Sequence, residues 1–193
     1  MPSRPSAVIE IIWVVWLVSW VAASLWSGRR QKSAPTLETW TYRAAMIAGG
    51  ILMAPWTAEL SGERQLWPVS VLGAGLLTLI MLLGLGLTWW ARIYLGRMWS
   101  SVISRMEGHQ IVDTGPYAFV RHPIYTGLIV AILATAIAEA TLTGLVGGAL
   151  LTVGVWLKAR TEERFLMAEL GADVYGAYCR RVPMLVPFLP RGG

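Results

Sequence analysis

Five apolar segments dominate this chain and limit what it can fold into. They cover residues 7–26, 42–60, 68–90, 124–138 and 142–157. A helix needs about 20 apolar residues to cross a bilayer, and the first three segments are of that length. Only 14% of the 193 residues are charged, whereas a soluble domain carries roughly 25%. The sequence therefore predicts an all-α integral membrane protein with five transmembrane helices.

The last two segments are short, and a polar turn at residues 139–143 joins them, which favours a helical hairpin. The first segment has some features of a signal peptide, since Arg4 precedes it and small residues end it. Its length and its tryptophans favour a retained helix instead. Trp13, Trp16 and Trp20 share one helical face, as expected for contact with lipid or with another helix.

Two further features concern helix packing. Pro55 is expected to kink the second segment near its end. The third segment carries Gly73, Gly75, Gly84 and Gly86. Because small residues let helix backbones approach closely in a membrane, we interpret these glycines as packing positions.

The basic residues predict the orientation of the chain. Of the 16 lysines and arginines, only Arg4 and Arg64 fall on one side of the five-span arrangement, which leaves 14 on the other. The positive-inside rule then places the N-terminus outside and the C-terminus in the cytoplasm. The same asymmetry accounts for the net charge of +5, so we expect no nucleic-acid partner.

A polar stretch at residues 108–127 lies between two apolar segments and holds both histidines of the chain. Its Arg121-His122-Pro123 sequence predicts a helix that begins at Pro123, because proline is favoured at the first helical position. Unpaired N–H groups and the positive dipole end at such a helix start favour anions. A plain polar loop followed by a helix start is the alternative interpretation.

The predicted hairpin brings this helix start close to two carboxylates, Glu162 and Glu163. Adjacent carboxylates repel each other unless a cation lies between them, so we expect one pocket at the cytoplasmic membrane boundary that contains Arg121 and His122. The single cysteine, Cys179, excludes an internal disulfide and a multi-cysteine metal site. We expect no metal here.

The chain after residue 165 is predicted to form an amphipathic helix that Gly171 interrupts. Pro183, Pro187 and Pro190 then end regular structure, and we expect the last residues to fold back over the pocket. The chain thus divides in two. Residues 1–90 form three N-terminal transmembrane helices, and residues 91–193 form a connector, the helical hairpin and the C-terminal tail.

Several motifs of the second part occur together. They are Gly115-Pro116-Tyr117, Arg121-His122-Pro123-x-Tyr125-x-Gly127, Arg160-x-Glu162-Glu163, Leu170-Gly171, Tyr175-x-x-Tyr178 and Val182-Pro183. The combination resembles the C-terminal signature of the isoprenylcysteine carboxyl methyltransferase family, which is similar to the membrane phospholipid N-methyltransferases. The resemblance covers residues 108–190.

This resemblance implies a membrane-embedded methyltransferase whose S-adenosylmethionine pocket faces the cytoplasm. It implies that nine residues line the cofactor site: His109, Val112, Gly115, Tyr117, His122, Pro123, Tyr125, Glu162 and Glu163. It also implies that Arg121 faces the reacting end of the acceptor and orients it. An amine acceptor would have to lose a proton, and Glu163 or His122 is the candidate that takes it; we expect Arg121 and Glu163 to be the catalytic residues. The acceptor would be a lipid, or a prenylated small molecule or protein, that arrives through the bilayer, and carboxyl O-methylation is one reaction that fits.

Two alternatives remain open at this point. Membrane sterol and steroid reductases resemble the same terminal region, at residues 171–183, and would use NADPH to reduce a carbon–carbon double bond. The Glu162-Glu163 pair and the short chain favour the methyltransferase. The other alternative is a non-catalytic lipid-binding or scaffold protein with the same fold.

Overall fold

The computed structural model describes residues 6–24, 37–96 and 112–189. Within these ranges the chain is helical and contains no β-strand, which confirms the all-α prediction. The elements are α1 (Ser6–Ser24), α2 (Leu37–Leu52), α3 (Pro55–Leu60), α4 (Val71–Leu95), a short 3₁₀ helix (Gly115–Ala118), α5 (Pro123–Glu139) and α6 (Leu142–Arg181).

The helices present an apolar outer surface. Two of them, α4 and α6, are long and apolar enough to cross a bilayer, and two shorter apolar helices cover Ala7–Ala23 and Pro123–Glu139. Large aliphatic side chains point outward along them, such as Val15 and Leu83, which are 63% and 65% exposed. Apolar surface on this scale requires an apolar solvent. We conclude that this is a membrane protein.

The second predicted span is not one kinked helix. α2 ends at Leu52, and α3 begins at Pro55 after a break at Met53 and Ala54. Pro55 occupies the first turn of α3, where its missing N–H leaves no helical hydrogen bond unmade. The prediction of a kink was therefore wrong, because the proline starts a short helix instead of bending a long one.

The fifth predicted span is only the first part of a much longer helix. α6 has 40 residues and contains a non-helical residue, Gly171, with φ of 80° and ψ of 164°. The limb before it, residues 142–170, is about 43 Å long, compared with about 30 Å for a hydrocarbon core. The charged half of this limb, from Lys158 onward, therefore extends past the apolar segment. The predicted interruption at Gly171 is confirmed.

Glycines allow two pairs of helices to cross closely. A Cβ atom at Gly84 of α4 would lie 2.6 Å from the carbonyl oxygen of Gly127 in α5. A Cβ atom at Gly49 of α2 would lie 2.7 Å from the carbonyl oxygen of Gly147 in α6. These distances leave no space for a side chain. Gly84 thus has the predicted packing role. Gly75 and Gly86 face open space, and Gly73 meets only the residues directly before α4, so the prediction was wrong for these three.

The tryptophans of α1 hold this helix against α4 and α5. Trp13 Nε1 donates a hydrogen bond to Thr135 Oγ1 at 3.0 Å, and Trp16 Nε1 donates to Thr88 Oγ1 at 2.9 Å. These bonds satisfy two indole N–H groups among apolar side chains. The predicted tryptophan face therefore packs against other helices.

Polar contacts gather at the two ends of the bundle. At one end, Glu63 accepts hydrogen bonds from the backbone N–H and the hydroxyl of Thr143, at 3.1 and 2.9 Å. At the other end, Arg164 pairs with Glu38 at 2.8 Å. Thr143 and Arg164 are about 30 Å apart along α6, which matches the thickness of a hydrocarbon core.

Candidate active site

The candidate site begins where α5 begins. Pro123 is the first residue of α5, as the sequence predicted. His122 directly precedes it, and the His122 side chain is only 6% exposed. The side chains of Arg121 and His122 both reach α6, where they meet the same carboxylate.

That carboxylate belongs to Glu163 and accepts hydrogen bonds from four side chains, those of Arg121, His122 and Tyr175 and, at 3.9 Å to Oε2, the Cys179 thiol. Its Oε1 accepts from Arg121 Nε at 2.7 Å, from His122 Nε2 at 2.8 Å and from the Tyr175 hydroxyl at 2.9 Å. Its Oε2 accepts from Arg121 Nη2 at 2.5 Å. Arg121 and Glu163 therefore form a two-pronged ion pair, with side chains 10% and 15% exposed. An ionised carboxylate can only accept, so His122 carries the proton on Nε2.

Burial and pairing act in opposite directions on the pKa of Arg121. Loss of water lowers this pKa, but the hydrogen bond and negative charge of Glu163 raise it by more, so that the net change is upward. The guanidinium therefore stays charged, and a permanent cation holds the Glu163 carboxylate in its ionised form.

Glu162 lies beside Glu163 on α6 but has a different partner. Its Oε2 accepts a hydrogen bond from the Tyr125 hydroxyl at 2.8 Å. The Tyr125 ring in turn stacks on the His122 ring, with centroids 5.4 Å apart and planes at 19°. In the described part of the chain, the second oxygen of Glu162 has no hydrogen-bond partner. The two adjacent carboxylates thus differ sharply, since Glu163 is fully engaged and Glu162 is not.

The chain after α6 folds back across the start of α5, as predicted. Residues 182–185, which we call the strap, each use their carbonyl oxygen to accept a hydrogen bond from residues 121–126. In order along the strap, the bonds are Arg121 Nη1 to Val182 O, Arg121 N to Pro183 O at 2.9 Å, His122 N to Met184 O at 3.1 Å and Thr126 Oγ1 to Leu185 O at 2.6 Å. The main-chain N–H groups of Arg121 and His122, directly before α5, are therefore occupied by the strap.

The 3₁₀ helix joins the site to α4. The Tyr117 hydroxyl donates a hydrogen bond to the carbonyl oxygen of Ala91 at 3.4 Å, and the Tyr117 carbonyl accepts one from the Tyr178 hydroxyl at 2.7 Å. Burial, assisted by the negative charge of Glu162, raises the pKa of Tyr117 well above its usual range. Tyr117 is therefore a neutral, fixed side chain.

The structure brings most of the predicted site residues into two neighbouring groups. The first group, between α5 and α6, consists of Arg121, His122, Pro123, Tyr125, Glu162 and Glu163. The second group, at and before the 3₁₀ helix, consists of Val112, Gly115 and Tyr117. His109 lies outside the described residues. The catalytic roles of Arg121 and Glu163 remain predictions.

Sequence reasoning missed two members of this network. Tyr175 and Tyr178 form one of the quoted motifs and are expected on a face of the tail that lies on the membrane or the pocket. Neither is among the nine predicted lining residues, yet their hydroxyls bond Glu163 and the Tyr117 carbonyl. Their three-residue spacing places both rings on one side of a helix, which was the available signal. What the spacing could not show is that this side faces the start of α5.

Comparisons with known proteins place the chain in a family. The model of the isoprenylcysteine carboxyl methyltransferase family matches residues 76–168, from α4 to α6. A protein-S-isoprenylcysteine O-methyltransferase of Schizosaccharomyces pombe is 31% identical over 106 residues, which are 52% of this chain and 43% of that protein. A methanethiol S-methyltransferase of Bradyrhizobium diazoefficiens is 42% identical over 72 residues, which are 37% of this chain and 24% of that protein. The chain therefore spans less than half of either relative.

A third relative matches over a greater length. Protein-S-isoprenylcysteine O-methyltransferase B of Arabidopsis thaliana is 33% identical over 157 residues, which are 77% of this chain and 74% of that protein. The match covers more than two thirds of both chains. The chain belongs to the isoprenylcysteine carboxyl methyltransferase family.

Proposed function

We propose that the protein is a membrane-embedded, S-adenosylmethionine-dependent methyltransferase that acts on a lipophilic acceptor. The observation that carries the proposal is the available oxygen of Glu162 beside the stacked His122 and Tyr125 rings, in a chain of a methyltransferase family. The three relatives described above are all named as methyltransferases. Their names favour methyl transfer over the NADPH-dependent reduction of a double bond.

The chemistry of these residues fits the cofactor. S-adenosylmethionine has a cationic ammonium, and Glu162 would hold that group with its available oxygen through a charge-assisted hydrogen bond. The rings of His122, Tyr125 and Tyr117 offer flat, largely buried surface for the adenine. Around them we place four of the remaining positions that the family resemblance implies: His109, Val112, Gly115 and Pro123. The fifth, Glu163, lies behind the His122 ring, to which it is hydrogen-bonded.

When bound, S-adenosylmethionine supplies a methyl group on a positively charged sulfur. The protein then has to hold the acceptor in line with that methyl group and to exclude water, which is mainly a matter of positioning. A carboxylate acceptor is already nucleophilic at neutral pH and needs no base, whereas a thiol or an amine must first lose a proton.

We infer that the site opens to the cytoplasm in a five-span chain whose N-terminus is outside. Support comes from the 14 basic residues on that side and from the two groups of polar contacts at opposite ends of the bundle. S-adenosylmethionine would be available there, and the acceptor would enter from the bilayer. Two of the relatives are named for isoprenylcysteine and one for methanethiol, so we propose a lipophilic acceptor that carries a carboxylate or a thiol.

Calorimetry on the detergent-purified protein tests the cofactor directly. We expect S-adenosylhomocysteine to bind with a dissociation constant in the low micromolar range, about 8 kcal/mol of binding free energy. The Glu162→Gln variant should bind it at least about tenfold more weakly, because the ammonium loses a charged partner. Binding of NADPH together with no response to S-adenosylhomocysteine would refute the methyltransferase assignment.

A second assay addresses the acceptor. Purified protein with radiolabelled S-adenosylmethionine would be given a farnesylated cysteine, a phospholipid mixture or a small alkyl thiol. We expect base-labile label on the farnesylated cysteine if a carboxylate is methylated. Label found only in the phospholipid amines would contradict the acceptor that we propose.

A further inference from the structure

We infer that Arg121, Glu163 and Tyr175 are positioning residues. They hold the strap across the start of α5 and contact neither the cofactor nor the methyl acceptor directly. We call these three side chains the clamp. The inference rests on the proposed function, because the residues that the clamp would position are those proposed to bind the cofactor. It assigns different tasks to the two adjacent carboxylates, Glu162 and Glu163.

The hydrogen bonds of Arg121 are almost all used within the protein. A guanidinium offers about five N–H donors. Two of them go to the two oxygens of Glu163, and two go to the main-chain carbonyls of Cys179 and Val182. Carbonyls at the end of a helix have no partner within the helix, so Arg121 caps the end of α6. This leaves little of Arg121 with which to orient an acceptor.

Glu163 is engaged to the same extent. Its oxygens accept four hydrogen bonds from N–H and O–H groups of Arg121, His122 and Tyr175 and a longer one from the Cys179 thiol. A carboxylate has about four acceptor positions. An ammonium group would have to displace one of these donors. Glu162 needs no such displacement, because in the described ranges it accepts only the bond from Tyr125.

Arg121 and His122 connect the Glu163 carboxylate to the strap. Arg121 and His122 bond Glu163 through their side chains and bond the strap through their backbone N–H groups. Removal of the carboxylate would leave the guanidinium of Arg121 buried without its counter-ion, which is more unfavourable than the loss of a hydrogen bond alone. The strap, the Glu163 carboxylate and the His122 ring should therefore shift together.

Tyr175 completes the clamp from beyond Gly171. In a straight helix, Glu163 and Tyr175 would be about 18 Å apart, since they are 12 residues apart, yet their side chains form a 2.9 Å hydrogen bond. The interruption at Gly171 turns the second limb of α6 back toward the first. The Tyr175 hydroxyl thus ties the returning limb to the carboxylate that holds the strap.

The affinities of two ligands distinguish a positioning role of Glu163 from direct contact with the cofactor. S-adenosylhomocysteine carries the ammonium, whereas 5′-methylthioadenosine has the same adenosine and sulfur but lacks the amino-acid part. We expect Glu163→Gln to weaken both ligands by a similar factor, about tenfold, because it disturbs the helix start that both would use. Glu162→Gln should weaken S-adenosylhomocysteine only. A loss in Glu163→Gln that is confined to S-adenosylhomocysteine would overturn the inference.

Hydrogen exchange of the Arg121 and His122 amides reports on the strap itself. We expect faster exchange at these amides in Glu163→Gln and, to a smaller extent, in Tyr175→Phe, with unchanged exchange at the Gly84–Gly127 crossing. In the wild-type protein, S-adenosylhomocysteine should slow their exchange, because ligand and closed strap stabilise each other. A purely structural role would not respond to the ligand.

The matched control is Glu38→Gln, which makes the same chemical change in an ion pair with Arg164 whose side chains are 50% and 63% exposed. It should change neither the affinity for either ligand nor the hydrogen exchange of the Arg121 and His122 amides.

Hydrogen exchange at these amides that is as slow in Glu163→Gln as in the wild-type protein would rule out the clamp. If the wild-type protein binds neither ligand, the proposed function fails, and the exchange measurement in Glu163→Gln still decides whether the carboxylate holds the strap. Tyr175→Phe serves if Glu163→Gln does not fold.

Discussion

Substitution of alanine for Gly84 should separate α4 from α5. The new Cβ atom would lie 2.6 Å from the Gly127 carbonyl oxygen and 3.1 Å from the Ala131 nitrogen. Both neighbours are backbone atoms, which cannot rotate away, so the helices must move apart by several tenths of an ångström. Overpacking of this kind costs about 1–3 kcal/mol, and the higher helix propensity of alanine returns about 1 kcal/mol. We expect a net loss of up to about 2 kcal/mol.

For a chain of this size, 1 kcal/mol corresponds to about 2–4 °C in Tm. Gly84→Ala should therefore lower Tm in detergent by up to about 8 °C, as followed by intrinsic tryptophan fluorescence. Gly86→Ala is the matched control, because a Cβ atom at Gly86 meets nothing within 4 Å in the same helix. It should leave Tm unchanged or raise it slightly. Equal Tm values for the two variants would show that the close crossing of α4 and α5 does not limit stability.

Two further predictions concern α1 and the orientation of the chain. Thr88→Val should destabilise the protein by about 1–3 kcal/mol, because the buried Trp16 indole N–H loses its acceptor. In thermal unfolding, the double variant Trp16→Phe/Thr88→Val should lose less stability than the sum of the two single losses, and a Tm for Thr88→Val equal to wild type would contradict this. In a Cys179→Ser background, a cysteine at Ser61 should react with an impermeant reagent applied outside the cell, and a cysteine at Glu38 only after permeabilisation. The reverse pattern would overturn the proposed orientation.

Local sequence signals predicted the helices well where one residue type decides the outcome. The start of α5 at Pro123 and the interruption of α6 at Gly171 both follow from backbone preferences of a single residue. At Pro55 the same preference begins a helix where a kink is predicted, because a proline can either bend a helix or begin one. The five-span arrangement remains a prediction.

The contacts of the candidate site were harder to predict because they join distant parts of the chain. Arg121 and Glu163 are 42 residues apart, and the Arg121 side chain also reaches the Val182 carbonyl, 61 residues away. The predicted helical hairpin indicates that these regions lie close together, but it does not indicate which carboxylate pairs with Arg121. That choice depends on how the first limb of α6 is rotated about its axis against α5, which is a property of three-dimensional packing.

The turn at Gly171 also determines which changes in chain length the protein can accept. The number of helical residues between Glu163 and Gly171 fixes the position and rotation of the chain beyond Gly171. Each added residue rotates that part of the chain by about 100° and advances it by about 1.5 Å. One inserted residue would carry the Tyr175 hydroxyl to another side of the helix, although every residue of the network would still be present in the sequence. Substitutions on the exposed face of this segment leave that register intact. The spacing between Glu163 and Gly171 therefore carries structural information of its own, separate from the identity of the residues that fill it.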